Sequence, residues 1–326
     1  MNSALMHREP AVAVVLPAYN EEATIRDTIQ GFSAALPKAR IVVIDNNSRD
    51  ATAAVARETL LQLGADGLVI SEVRQGKGNA VRRAFLEVDA DIYILSDADL
   101  TYPPERAIDL LRPIIENRAD MVVGDRHSGG EYARENKRSL HGFGNRLVQQ
   151  LVNSLFNAKL VDIMSGYRAF SREFVKNYPI LVEGFEVETD LTLHALHRRY
   201  RVMEVPIEYR DRPAGSVSKL NTVRDGAKVL FTIAQILRYY RPLFFFVLLA
   251  VCFSGLGLIA GYPVIDEYIQ TQFVSRLPLA VLATGLQLVA VISLAIGLIL
   301  DAVSHQQAFN YELGLLRYRK SAPSRP

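Results

Sequence analysis

The chain has no tryptophan and a single cysteine, Cys252, set inside an apolar run. That excludes an intramolecular disulfide and any cysteine-cluster zinc site. Acidic and basic residues nearly cancel, to a formal charge of +2, and no basic run is interleaved with aromatics. Nucleic acid is therefore not an expected partner. Met1 to Pro10 lacks the apolar core of a secretory signal, so the first two hundred residues are expected in the cytosol. Two stretches lack charge altogether, Leu243 to Tyr262 over 20 residues and Pro278 to Leu300 over 23. As helices they would reach about 30 and 35 Å, enough to cross a bilayer core. A buried helical hairpin in a soluble protein is the competing reading.

Arg238 and Arg241 precede the first stretch, and Arg317, Arg319 and Lys320 follow the second. The segment between them holds only Asp266, Glu267 and Arg276 as charges. The positive-inside rule then places both ends in the cytosol and the short loop outside, in a multi-pass protein of the cytoplasmic (inner) membrane. Neither span carries an ionisable residue, which leaves a transport pathway nothing to run on. The spans read as an anchor.

Ahead of them, apolar runs alternate with helical segments. Ala11 to Leu16 breaks at Pro17, and Asn20 is the expected N-cap of the next helix, with Glu21 and Glu22 in its first turn. Arg40 to Asp45 ends in an acid and is followed by the turn Asn46 to Thr52. Gly67 to Val73 runs into Gly76-Lys77-Gly78, where glycine backbone and an ammonium could approach a phosphate. That spacing matches neither a dinucleotide fingerprint nor a Walker loop. Asp91 to Leu95 leads to Asp97-Ala98-Asp99, and Asp120 to Gly124 to Asp125-Arg126. Five such alternations, each delivering polar residues at a strand's carboxyl end, predict one nucleotide-binding α/β domain.

Asp97 and Asp99 offer two hard oxygen donors that can hold Mg2+ or Mn2+ and, through the ion, a diphosphate. A solvated turn is the alternative. Lys137 to Leu160 predicts a long helix, and Asp162 to Phe170 a turn rich in candidate ligands. The helix opened by Phe185 to Asp190 carries His194 and His197, read as structural or surface histidines and not as metal ligands because no third ligand is near in sequence. Arg201 to Tyr209 predicts a last strand and Arg210 to Lys219 a basic loop. The domain reading is 1–220 for the catalytic domain and 221–241 for an amphipathic interfacial helix. The hairpin and a cytosolic tail take 242–326, with spans at about 243–262 and 278–300.

A diphosphate site tied to a bilayer points to a soluble donor and a lipid acceptor. A lipid phosphate, with a second pKa of about 6 by analogy with phosphorylated side chains, is already largely ionised at neutral pH. It needs no protein base, only cations that draw it in and orient it. Arg126, Arg138, Arg212 and Lys219 are the candidates.

Leu16-Pro17-Ala18-Tyr19-Asn20-Glu21-Glu22, Asp45 with its Asn-Asn-Ser-Arg-Asp turn, Gly76-Lys77-Gly78, Asp97-Ala98-Asp99, Ser165-Gly166-Tyr167-Arg168 and the Arg212 to Lys219 loop occur in order. Together they resemble the polyisoprenyl-phosphate glycosyltransferases, the group of dolichyl-phosphate mannosyltransferase within family 2, over roughly residues 10 to 230. The resemblance implies a GT-A (nucleotide-diphospho-sugar transferase) fold, a nucleotide-sugar donor, Mg2+ or Mn2+, and attack by a polyprenyl phosphate with inversion at the anomeric carbon. It assigns Pro17, Tyr19, Glu21 and Asp45 to base and ribose, with Lys77, Asp97, Ala98 and Asp99 around the diphosphate and metal. Arg126 and Arg138 fall to the acceptor phosphate, and Arg212 and Lys219 close over the phosphates.

Two positions depart from the pattern. Thr101 stands where many members carry a Gln that contacts metal or diphosphate, and His141 where a Ser is expected near the acceptor phosphate. The Asp-Leu-Thr-Tyr-Pro and Ser-Lys-Leu-Asn stretches resemble members that use UDP-linked sugars more than GDP-mannose users, which implies a UDP-sugar, an N-acetylhexosamine or glucose. The expected product is a polyprenyl-phosphate sugar for cell-envelope glycan or glycosylation pathways, with undecaprenyl phosphate a natural acceptor to try. Membrane lipids are expected neighbours, and the resemblance also implies assembly through the membrane region.

Three other readings compete. A processive polysaccharide synthase should carry a Gln-x-x-Arg-Trp motif and more spans, and this chain has no tryptophan. A catalytically silent membrane scaffold predicts decay of the diphosphate and metal positions, all of which keep suitable chemistry. A sugar nucleotidyltransferase would need an arginine- and glycine-rich phosphate loop that Leu16 to Glu22 does not provide.

Overall fold

The computed structural model describes residues 9–128, 139–184, 186–210 and 233–321. The chain divides into two compact units, Met1–Leu220 with the last four residues, and Asn221–Ala322.

The first unit is built on a seven-stranded sheet in the order β3-β2-β1-β4-β6-β5-β7. In chain order these are β1 (Val12–Ala18), β2 (Arg40–Asp45), β3 (Gly67–Ser71), β4 (Ile92–Leu95), β5 (Met121–Asp125), β6 (Arg168–Ser171) and β7 (Val202–Pro206). The pairings are parallel except those of β6, which runs antiparallel to both β4 and β5. The central strands are covered on both faces, and Val14, Ile41, Ile94 and Val122 are all fully buried. This is why they read as continuous apolar runs and not as alternating patterns.

The helices are α1 (Ile25–Ala35), α2 (Thr52–Leu63), α3 (Lys77–Glu87), α4 (Ala107–Ile115), α5 (Ser139–Phe156), α6 (Arg172–Asn177) and α7 (Val187–His197), with a short 3-10 turn at Pro104–Arg106. The expected α/β alternation is present. One strand was not expected: the predicted ligand-rich turn 162–170 ends in β6. Four residues opening on an arginine carry no strand periodicity, and only pairing on both sides makes them a strand.

Asn20 is not the N-cap. It sits at φ +54° and α1 begins five residues later at Ile25, after Thr24. Asparagine tolerates that left-handed conformation. Its side chain instead accepts the Arg49 N–H at 2.8 Å, lacing the loop after β1 to the loop after β2.

The second unit contains helical residues 233–240, then α8 (Pro242–Thr271) and α9 (Leu277–Ser321). Residues 221–232 of the expected interfacial helix lie outside the described residues. Both long helices are apolar enough to span a membrane, with mean hydropathy of 2.6 and 2.4 in their apolar windows. They outrun the predicted spans because charge ends a membrane-compatible stretch without ending a helix. They pack closely: a methyl on Gly257 would meet Gln287 Nε2 at 2.8 Å, and one on Gly297 would meet Phe246 Cβ at 2.8 Å. Ser254 Oγ donates to Gln287 Oε1 at 3.1 Å and Gln287 Nε2 returns a bond to the Ser254 carbonyl at 3.0 Å. This is a polar clasp of the kind that fixes helix register in apolar surroundings.

Candidate active site

The sheet order reverses direction between β1 and β4, and ligands of open α/β sheets bind beyond the strand ends at such a switch point. The carboxyl ends of β2, β1 and β4 carry Asp45, Pro17 to Tyr19 and Asp97 to Asp99. Ala18 and Asp45 are directly opposite each other in the ladder, so the residues expected to meet base and ribose share one edge. Tyr19 is 40% exposed while Asp45 is nearly covered. Asp45 Oδ1 accepts the Ser48 N–H at 3.3 Å. Glu21 faces α1, accepting the Thr24 hydroxyl at 2.9 Å, and its own N–H donates to Thr52 Oγ1.

The Asp97–Thr101 loop is pinned from inside. Ala98 is buried and its carbonyl accepts the Thr24 hydroxyl at 2.8 Å and the Thr28 hydroxyl at 3.2 Å. Leu100 then takes φ +62°, a left-handed conformation costly for a side chain of that size. That turn brings the Thr101 hydroxyl to Asp99 Oδ1 at 2.6 Å. Thr101 is thus a donor that orients a carboxylate. Asp99 is buried, whereas the Asp97 side chain is 25% exposed.

Against Asp97 lies Lys77, the first residue of α3. Its ammonium is paired with the Asp97 carboxylate and, at 2.5 Å, with Glu188 of α7. Burial works against the lysine's charge, but the two carboxylates outweigh it and push its pKa upward. The flanking glycines serve a purpose the sequence did not disclose. Gly76 sits at φ +134°, and methyls on Gly76 and Gly78 would meet the Glu183 and Val182 carbonyls at 2.2 Å. Gly78 N–H donates to the Glu183 carbonyl at 2.9 Å. These glycines admit backbone to backbone, and the Gly78 amide expected to face a phosphate is engaged there. Asn46 holds the preceding turn, accepting Gly76 N–H at 2.7 Å and donating to the Arg74 carbonyl at 2.7 Å.

Because β6 runs antiparallel beside β4, its entry loop lies over the β4 carboxyl end, with Leu95 opposite Arg168. Gly166 is thereby pressed against the site, where a methyl would meet Asp97 Oδ2 and Lys77 Nζ, each at 3.0 Å. Its N–H donates to the Tyr102 hydroxyl at 2.9 Å, and burial pushes that phenol's pKa up. Arg168 is fully buried, and its guanidinium donates to the Ser165 carbonyl at 2.7 Å, the Ile163 carbonyl at 2.8 Å and Thr192 Oγ1 at 2.8 Å. An arginine amid Tyr167, Ala169 and Phe170 was the available signal: so expensive a buried cation must hold something in place. Glu188 had no local pattern to single it out, while Asp162 and Tyr102 lay in stretches noted in the sequence but without a role of their own.

Arg126 is held by both oxygens of Asp162, at 2.7 and 2.9 Å, and lies 5.6 Å from the centre of the Tyr209 ring. Burial raises the Asp162 pKa, but the Arg126 hydrogen bond and charge prevail and keep it low. Tyr209 packs edge-on to Tyr102 at 5.8 Å, linking Arg126 to the loop that carries Gly166. The structure therefore gathers Lys77, Asp97, Asp99, Thr101 and Ala98 in one cluster, with Pro17, Tyr19, Glu21 and Asp45 along the neighbouring strand ends. Arg138, Arg212, Lys219 and the His141 side chain lie outside the described residues. The chain leading to Arg212 is described as far as Arg210, whose N–H donates to the Thr101 carbonyl at 3.0 Å.

Among the described residues no three His, Cys, Asp or Glu side chains form a ready metal cage. Two carboxylates suit a hard ion that completes its shell with water and substrate phosphate oxygens, so the donor set fits Mg2+ or Mn2+.

A sequence profile described as glycosyl transferase family 2 matches residues 13–178. Glycosyltransferase AglJ of Haloferax volcanii is 31% identical over 85% of this chain and 90% of its own length. A dolichyl-phosphate hexose transferase of the same organism is 32% identical over 69% of this chain and 93% of its own. Among solved structures, glucosyl-3-phosphoglycerate synthase of Mycobacterium tuberculosis, in complex with Mn2+, UDP and phosphoglyceric acid, superposes with TM-score 0.54 at 25% identity, over 70% of this chain and 78% of that one. The α/β unit accordingly has a GT-A-like fold.

Proposed function

The chain belongs to glycosyl transferase family 2, and we propose that it moves a sugar from a nucleoside-diphosphate donor, a UDP-sugar by preference, to a polyprenyl phosphate at the cytosolic membrane face. The observation that carries this reading is the Asp97/Asp99 pair at the sheet's switch point in a chain that also has two helices apolar enough to span a bilayer. A phosphate oxygen of the lipid forms a bond to the sugar's anomeric carbon. The bond from that carbon to the nucleoside diphosphate breaks, and the diphosphate leaves with the electron pair and with inversion. No proton has to be removed from an ionised phosphate.

Asp97 and Asp99 would hold Mg2+ or Mn2+, whose positive charge supplies Lewis-acid stabilisation to a departing diphosphate. Thr101 orients Asp99, Lys77 brings a second positive charge, and Pro17, Tyr19, Glu21 and Asp45 flank the nucleoside. Arg126, steadied by Asp162, and Arg138 orient the acceptor phosphate, with His141 near it and Arg212 and Lys219 closing over the phosphates.

A soluble phosphate monoester is the second reading, favoured by the likeness to a synthase solved with phosphoglyceric acid. One experiment separates them. The full chain in detergent is incubated with UDP- and GDP-linked sugars and either undecaprenyl phosphate or 3-phosphoglycerate, and products are weighed by mass spectrometry. A glycosylated lipid phosphate is expected. Sugar on 3-phosphoglycerate alone would replace the lipid reading, and a mannosyl lipid from GDP-mannose would replace the UDP preference.

A further inference from the structure

Lys77 answers to two carboxylates from different parts of the chain, Asp97 after β4 and Glu188 on α7. The Lys77 and Glu188 side chains are 9% and 8% exposed, so water screens their attraction little. Only Asp97 belongs to the pair proposed above for the divalent ion. The ammonium and the ion therefore contend for the same carboxylate, and like charges crowded onto it repel. Gly166 walls this space, with its missing methyl directed at Asp97 Oδ2 and Lys77 Nζ alike. Glu188 is itself braced, since its carbonyl accepts the Thr192 hydroxyl that also receives Arg168.

We propose that Glu188 is a positioning residue that receives the Lys77 ammonium when a divalent cation takes Asp97. Without cation the lysine bridges both acids; with cation it withdraws to Glu188, staying close enough to meet a diphosphate. This rests on the metal placement given under Proposed function.

The test is binding of Mn2+ alone to the full chain in detergent, read from the electron paramagnetic resonance amplitude of free Mn2+. In Glu188→Gln the ammonium has only Asp97, and Mn2+ affinity should fall about tenfold, a coupling of ordinary size. Lys77→Gln/Glu188→Gln removes the competing charge and should bind Mn2+ at least as tightly as the wild type. A merely structural role for Glu188 would give no such rescue. Unchanged affinity in Glu188→Gln, or no recovery in the double variant, overturns the proposal. Should Glu188→Gln not fold, Lys77→Gln alone is expected to tighten Mn2+ binding about threefold or more, and weaker or unchanged binding overturns the proposal. Asp99→Ala is the control for the underlying reading. If it binds Mn2+ like the wild type, the metal placement itself fails, whatever Glu188 does.

Discussion

At the scale of single residues, the site depends in part on residues that never need to touch substrate. Gly166 is the sharpest case. In Gly166→Ala the new methyl displaces the ends of two flexible side chains, so the fold should survive while Asp97 and Lys77 shift. A misplacement of about 1 Å can cost about a hundredfold in turnover; a shift of a few tenths of an ångström should cost less, and comparing melting temperature with product formation separates the two effects. Asp99→Ala should lower transfer by about a hundredfold or more. Membrane extraction of that variant should be unchanged, and normal turnover with metal present would refute the site. Arg168→Met leaves the Ser165 and Ile163 carbonyls without their buried donor. The expected loss is about 2–5 kcal/mol in urea unfolding, and a neutral result would show that the arginine holds nothing. Arg138→Ala should mainly weaken use of the lipid phosphate, seen as a raised KM for acceptor with donor KM unchanged.

At the scale of elements, the central parallel strands were legible because burial on both faces writes them as apolar runs, as in Arg40 to Asp45. β6 was not, since four residues owe their strand character to neighbours far away in sequence. The same remoteness hid Glu188: only the fold brings α7 beside α3. Helix starts misled for a different reason, because the Asn20 side chain serves another loop and not its own helix. The reading of His194 as structural agrees with its surroundings, for its ring centre lies 4.8 Å from that of Tyr178 and 5.9 Å from that of Phe174. Burial, then the nearby Arg198 and His197, push its pKa from 6.5 down to about 3. Below pH 6.5 the unfolded chain takes up a proton that the folded chain refuses. His194 therefore withdraws stability as pH falls from 6.5 toward 3, and contributes no such slope above 6.5. His194→Leu should flatten that part of the melting-temperature profile, and an unchanged slope would refute the assignment.

At the scale of the whole molecule, the proposed anchor makes a topology prediction. In a Cys252→Ser background, Ser275→Cys between α8 and α9 should react with an impermeant maleimide in intact cells. Ser321→Cys at the end of α9 should react only after permeabilisation, and the reverse pattern would invert the proposed orientation. Gln287→Leu removes the clasp to Ser254 and should weaken the hairpin by about 1 kcal/mol in detergent unfolding.

The length of α9 has a consequence of its own. Its 45 residues run unbroken from Leu277 to Ser321, about 67 Å at helical rise. A bilayer's oily interior takes up only about 30 Å of that. If α9 crosses the bilayer as proposed and Leu300 reaches the headgroups, the remaining turns carry about 30 Å of helix beyond the hydrocarbon. A dye at Ser321 would then lie outside the acyl region, and quenchers in the acyl chains should leave it bright.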